Sequence, residues 1–262
     1  MKMYEDLPAE ISHPFHKKGK HNFKLVSPGD APFVCDGCKE PGEGPRYTCQ
    51  GGCSSFDLHT CCALMKETLT HPLFGENCVF EFVRKPPPPI ESTVCDACGE
   101  PAHGYGYHCH ERDLDLHPCC ATLQDRITLN GHTFKLQHAP RRGRCGASCR
   151  EEGRRRKFWA YRSCYDGRSV YLHVACIREM ARRAWDEAYQ ERVGGGGCIV
   201  RASAPIMEGV LQNVSGTTRR RNRFDQFMRI VGIVTKIIVA LISGNPMAMI
   251  AAVAGPDGFL RG

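Results

Sequence analysis

Four absences narrow the reading of this chain before any motif is considered. The first residues, Met1-Lys2-Met3-Tyr4-Glu5-Asp6, contain no apolar run of the kind a secretory leader needs. That sets aside an extracellular disulfide framework and leads us to expect reduced thiols in a protein that is cytoplasmic and/or nuclear and not secreted. No spacing matches a Gly-rich phosphate loop, a nucleophile beside a base or a catalytic carboxylate pair, so no hydrolase or kinase is expected. A Cys-x2-Cys dithiol on the strand-to-helix turn of a thioredoxin-like α/β unit is also missing, which disfavours thiol-disulfide redox catalysis. Finally, no apolar run is clean enough to span a bilayer. Phe224 to Ser243 is interrupted by Asp225, Arg229 and Lys236, and Met247 to Ala254 is too short. Lys236 alone would cost roughly 2.5 to 3.5 kcal/mol at the centre of a span.

What is present in excess is cysteine and histidine. The chain has 17 Cys and 12 His in 262 residues, all within the first 200. Small folds without a large core need a staple, and with reduced thiols that staple is metal. The net charge of +7 is spread over a long chain and favours anionic partners only weakly.

An internal repeat organises these residues. His21-Asn22-Phe23-Lys24-Leu25 returns as Cys78-Val79-Phe80-Glu81-Phe82 and as His132-Thr133-Phe134-Lys135-Leu136. Cys35-x2-Cys38 returns as Cys95-x2-Cys98 and, one residue longer, as Cys145-x3-Cys149. Each copy closes on His-x2-Cys: His59 and Cys62, His117 and Cys120, His173 and Cys176. The alternation at Phe23, Leu25 and Phe80, Phe82 predicts small antiparallel sheets. Ile177, Met180, Ala181, Ala184, Trp185 and Ala188 recur at helical spacing, predicting a helix of about four to five turns after Cys176. Gly194 to Gly197 should end it, and Pro86 to Pro89 reads as a stiff extended linker.

Zinc takes four tetrahedral ligands from thiolate and imidazole, and Cys-x2-Cys places two sulfurs on one tight turn. The first copy offers His21, Cys35, Cys38, Cys49, Cys53, His59, Cys62 and His71, enough donors for two ions. Such closed sets, with no water position, read as structural sites. Cys61, Cys119 and Cys198 read instead as small buried apolar residues.

The pattern His-x13-Cys-x2-Cys-x10-Cys-x3-Cys-x5-His-x2-Cys-x8-His resembles the plant divergent C-one, or cysteine/histidine-rich, domain over about residues 13 to 176. That family is similar in turn to the zinc modules of protein kinase C. The resemblance implies that Cys35, Cys38, His59 and Cys62 bind one zinc and His21, Cys49, Cys53 and His71 another. Cys49-x3-Cys53 is one residue longer than the family's usual knuckle. In copy two the resemblance implies one complete site, Cys95, Cys98, His117 and Cys120. There Cys78 and Cys109 are joined by Arg112 and Leu129 at the remaining outer positions, and a guanidinium cannot serve as a ligand. In copy three it implies Cys145, Cys149, His173 and Cys176, with His132 and Cys164 stranded beside Arg168 and Trp185. About four zinc ions are expected in total.

The fold class expected is small zinc-stabilised α+β modules, three in tandem, followed by a helical C-terminal tail. The boundaries are 13–75, 76–130 and 131–193, then a Gly-rich and basic linker over 194–223 and an amphipathic tail over 224–262. The resemblance implies a non-enzymatic adaptor or scaffold for protein partners in plant stress, defence or developmental signalling. A second reading takes the basic residues Arg141, Arg142, Arg144, Arg150, Arg154, Arg155, Arg156, Lys157 and Arg162, with Phe158, Trp159 and Tyr161 beside them, as a nucleic-acid-binding surface. For the tail three readings stay open. They are a peripheral anchor on an anionic membrane surface through residues 219–254, aided by Arg219, Arg220, Arg221 and Arg223; a helix for partners or self-association; and a helix packed on the modules.

Overall fold

The computed structural model describes residues 7–16, 20–27, 32–53, 56–87, 93–139, 158–193 and 218–244. Three four-stranded antiparallel sheets follow one another along the chain. The first has the order β1-β2-β5-β6, from Glu10–Ser12, Asn22–Val26, Arg46–Cys49 and Asp57–His59. A hairpin of β3 (Pro32–Val34) and β4 (Pro41–Glu43) stands beside it. The second sheet joins β7 (Thr68–Thr70), β8 (Val79–Val83), β9 (Gly106–Cys109) and β10 (Leu114–Leu116), paired in that order. The third joins β11 (Arg126–Leu129), β12 (His132–His138), β13 (Trp159–Tyr165) and β14 (Arg168–His173). A helix follows each last strand: α1 (Thr60–Ala63), α2 (Pro118–Ala121) and α3 (Val174–Val193). A fourth, α4, spans Thr218–Ile242.

Period-two alternation builds these sheets, and the three cores reuse the same residue types. Phe23, Tyr47 and Leu58 are fully buried in the first. Phe80, Tyr107 and Leu116 fill the equivalent places in the second, and Phe134, Tyr161 and Leu172 those in the third. A buried phenol needs a partner, and all three find it in the same way. Tyr47 Oη donates to the Pro8 carbonyl at 2.7 Å, Tyr107 Oη to that of Lys66 at 3.0 Å and Tyr161 Oη to that of Gln124 at 2.7 Å. Each acceptor lies two residues before the first strand of its sheet, so each sheet opens at about Pro8, Lys66 and Gln124.

The boundaries expected at 75/76 and 130/131 therefore fall inside hairpins: β7 pairs with β8, and β11 with β12. The chain divides into two compact units, one of residues 1–123 with 240–262 and one of residues 124–239. In the second unit Phe227 of α4 stacks on Tyr165 at 4.6 Å and lies 5.1 Å from the His132 ring. Phe227, Ile230, Val231, Val234 and Ile238 of α4 are buried, whereas Gln226, Arg229 and Lys236 are exposed. No described helix is long and apolar enough to cross a membrane.

Candidate metal centres

In the first sheet the β3–β4 hairpin presents Cys35 and Cys38 on its connecting turn, while β6 and α1 deliver His59 and Cys62. Lys39 adopts a positive φ of 67° to close the turn, its N–H donating to the Cys35 carbonyl at 2.8 Å. The donor atoms of Cys35, Cys38, His59 and Cys62 all lie within 4.8 Å of one another, and all four residues are buried. Four donors about 2.3 Å from one ion would sit about 3.8 Å apart, so the grouping fits tetrahedral zinc.

The orientation of the imidazole decides the fit further. His59 Nε2–H donates to the Pro41 carbonyl at 3.2 Å, which leaves Nδ1 facing the sulfurs, 3.2 Å from Cys38 Sγ. A ring fixed by its far nitrogen on a backbone carbonyl is how a zinc-ligating histidine is held. The His59 backbone N–H also donates to Cys35 Sγ at 3.4 Å.

The second sheet repeats every part. Cys95, Cys98, His117 and Cys120 gather and are all buried. His117 Nε2–H donates to the Pro101 carbonyl at 3.0 Å, its Nδ1 lies 3.5 Å from Cys98 Sγ, and its backbone N–H donates to Cys95 Sγ. Gly99 closes this turn with φ 76°, where the first sheet uses Lys39.

Within each donor set the thiols differ in how readily they shed a proton, and a bound cation favours the thiolate in all of them. Burial would push the Cys35 thiol up, but hydrogen bonds from Cys38 and Cys62 and the neighbouring His59 outweigh it and hold Cys35 well below the usual thiol range. Cys62 is pushed well above that range by burial and by Cys35 and Cys38. In the second group Cys95 is likewise low, burial being outweighed by hydrogen bonds from Cys120 and Cys98.

At the outer end of the first sheet the grouped residues are His16, His21, Cys49 and Cys53. His16 Nε2 is 3.4 Å from Cys49 Sγ, and His21 Nδ1 is 3.4 Å from Cys53 Sγ. His71, which the resemblance put in this set, lies elsewhere. It follows β7, the first strand of the second sheet, and its Nε2 lies 3.3 Å from the Leu123 carbonyl oxygen. The dipeptide His71-Pro72 repeats His13-Pro14, so His71 is the counterpart of His13. His13 is buried, stacks on Tyr105 and bonds the Cys62 carbonyl. That dipeptide, present in the first two copies and absent from the third, was the sequence signal that could have pointed to His16.

The second sheet has Phe74 where the first has His16. Cys78 and Cys109 remain, both buried, with Cys78 donating to Cys109 at 2.9 Å. Arg112 lies in the β9–β10 connection, its N–H donating to the Cys109 carbonyl. Leu129 belongs to β11 of the third sheet rather than to the second.

In the third sheet both outer loops have shrunk to two residues. Asn130-Gly131 joins β11 to β12 and Asp166-Gly167 joins β13 to β14. All four have positive φ, as type I′ hairpin turns demand. Arg168 opens β14, and Trp185 stacks on Tyr189 within α3. His173 Nδ1 lies 3.8 Å from Cys176 Sγ. Cys145 and Cys149, the basic residues 141–157, Gly194 to Gly197, Cys198 and Met247 to Ala254 lie outside the described residues.

A family model described as C1 domain matches residues 14–63. This span contains all eight donors of the first sheet's two groups, including His16, and stops short of His71. No curated protein and no solved structure matches the chain. The match and the cysteine/histidine groups together identify a small, strand-rich zinc-binding C1-type module with a helix, of the kind that serves as a regulatory binding module.

Proposed function

We propose that the chain is a non-enzymatic, zinc-stabilised adaptor of three tandem modules that present their surfaces to protein partners in signalling. One observation carries this: His59 on Pro41 and His117 on Pro101 aim two imidazoles at two sets of three buried thiols in the same way. Each set is closed by four protein donors, which is the arrangement of a structural ion. When bound, zinc supplies folding free energy and no reaction chemistry. The protein's own contribution is to hold deprotonated thiolates and oriented imidazoles at fixed backbone positions. The shared strand order and the three tyrosine hydrogen bonds support treating the third sheet as a module of the same kind.

The buried apolar face of α4 supports taking this helix as part of the fold, with Gln226, Arg229 and Lys236 outward. Native mass spectrometry of the intact chain tests the metal reading. About four zinc ions are expected, two of them in the first module. A folded, metal-free protein would overturn it.

A second reading has one specific observation in its favour. On the open face of the third sheet Arg126 lies opposite Lys135, Lys135 opposite Arg162, and Arg162 opposite Tyr171. Like charges placed directly across strands repel, and none of these three cations has a carboxylate partner among the described residues. Lys135 and Arg162 also line a shallow depression of about 320 Å³ with Thr133 and Gln137. A polyanion would relieve that repulsion, with Tyr171 available to stack on a base. Single-stranded RNA should bind this face with a log K against log salt slope that flattens by about 0.7 for each cation replaced by alanine. RNA binding unchanged in Lys135→Ala and Arg162→Ala, or binding to anionic vesicles alone, would rule this surface out as an RNA site.

A further inference from the structure

The position just before the last ligand differs among the three copies. It is Cys61 in the first sheet and Cys119 in the second, but Ala175 in the third. The first two copies belong to one compact unit. There the sulfurs of Cys61 and Cys119 lie 2.7 Å apart, 58 residues distant in sequence. A disulfide needs about 2.05 Å, so a shift of about 0.7 Å joins them.

Neither residue is among the four donors of an interior metal group, although Cys61 hydrogen-bonds its neighbour Cys62, which is one of them. His59 is near enough to be counted with this pair, but its Nδ1 faces Cys38 and its Nε2–H donates to Pro41. That leaves no nitrogen to complete a third metal site. Other contacts also hold the first and second sheets together around the pair. Tyr105 N–H donates to the Gly37 carbonyl at 2.9 Å, His117 Nε2 lies 3.3 Å from Glu40, and His13 stacks on Tyr105. Cys61 is partly exposed, whereas Cys119 is buried, with 3% of its surface accessible. An oxidant therefore meets Cys61 first.

We propose that Cys61 and Cys119 are a redox-active pair that a peroxide converts to a disulfide across the first and second sheets, leaving the metal ligands intact. Cys61 sulfur attacks a peroxide oxygen, the O–O bond breaks, and a sulfenic acid forms as water leaves. Cys119 sulfur then attacks Cys61 sulfur, and the sulfenic hydroxyl departs with the Cys119 proton as a second water. Two thiols and one hydrogen peroxide give one disulfide and two waters; the sulfurs lose two electrons and the peroxide gains them.

The test uses the full zinc-loaded chain, with bound zinc counted before oxidant is added, so that failure to bind metal is seen separately. One equivalent of hydrogen peroxide should remove two free thiols, release no zinc, and yield one crosslinked peptide containing Cys61 and Cys119. A thiol reductant should reverse it. Cys61→Ser and Cys119→Ser should each abolish the crosslink while keeping the zinc count of the unmodified chain. Loss of zinc with the first thiols oxidised, or a crosslink mapping to Cys78 and Cys109 instead, would overturn the proposal. So would equal consumption of peroxide by the Cys61→Ser variant.

Discussion

The hydroxyl of Thr60 donates a 3.1 Å hydrogen bond to the carbonyl of Gly244, 184 residues further along the chain. Thr60 follows the ligand His59, and Gly244 follows the end of α4. The contact is close on the ring as well: a Cβ at Gly244 would stand 2.6 Å from His59 Cδ2. Glu43 N–H donates to the Ser243 carbonyl beside it. The segment after α4 therefore backs the imidazole of the first interior metal group.

Gly244→Ala should accordingly disturb that group and no other. Its φ of 67° disfavours any side chain, and the added carbon displaces the His59 ring. Zinc affinity of this group should fall about 10- to 100-fold, the usual cost of losing an outer-shell support. Competition with a chromophoric chelator reads this. Unaltered affinity would mean that the tail does not hold the ring.

His16 and His71 give a direct comparison of structure with sequence resemblance. His16→Ala should remove one zinc ion from the intact chain, whereas His71→Ala should keep the full count and lower stability through the lost contact to Leu123. Elemental analysis of the two purified variants distinguishes them. Loss of a zinc ion in His71→Ala with none lost in His16→Ala would reverse the assignment.

Lys39 pays a conformational penalty that Gly99 avoids at the same place in the second sheet. Left-handed backbone costs a non-glycine residue roughly 1 to 2 kcal/mol, partly offset because glycine is more disordered when unfolded. The Lys39–Asp36 ion pair is largely exposed and contributes little. Lys39→Gly should therefore stabilise the metal-bound chain by roughly 0.5 to 1 kcal/mol in urea unfolding. A destabilised variant would count against a strained turn.

Tyr107 sets an alkaline limit. Burial pushes its phenol up to about 12, against the 3.1 Å hydrogen bond that the Lys66 backbone N–H donates to its oxygen and that favours the ionised form. Because the folded pKa lies above the unfolded value of about 10, this contribution to stability is complete below pH 10. It is lost as pH rises from there through about 12. Spectrophotometric titration should show a late-ionising tyrosine that Tyr107→Phe removes. A single normal transition for all tyrosines would contradict the burial argument.

How much of this was legible in sequence depends on which signal carried each part. The closing motifs around His59, His117 and His173 align without gaps, and ligand spacing reflects the tight turn a metal needs, so both interior groups of the first unit could be read directly. The strands β1, β7 and β11 could not. They are only three or four residues long, and their hydrogen bonds to β2, β8 and β12 leave no composition signal. Missing them moved the copy boundaries and substituted His71 for His16. The burial of α4 was equally hidden. Its periodicity announces one apolar face, but a face does not name its partner, and Phe227 lies against Phe134 and Tyr165, which are distant in sequence.

The paired turns Asn130-Gly131 and Asp166-Gly167 have a consequence for metal supply. At the outer end of the first sheet, long loops carry four donors whose arrangement depends on an ion being delivered. At the same end of the third, local backbone preference alone reverses the chain. A cell short of zinc would thus loosen the first sheet's outer loops while the third sheet's outer hairpins, which need no ion, stayed shut.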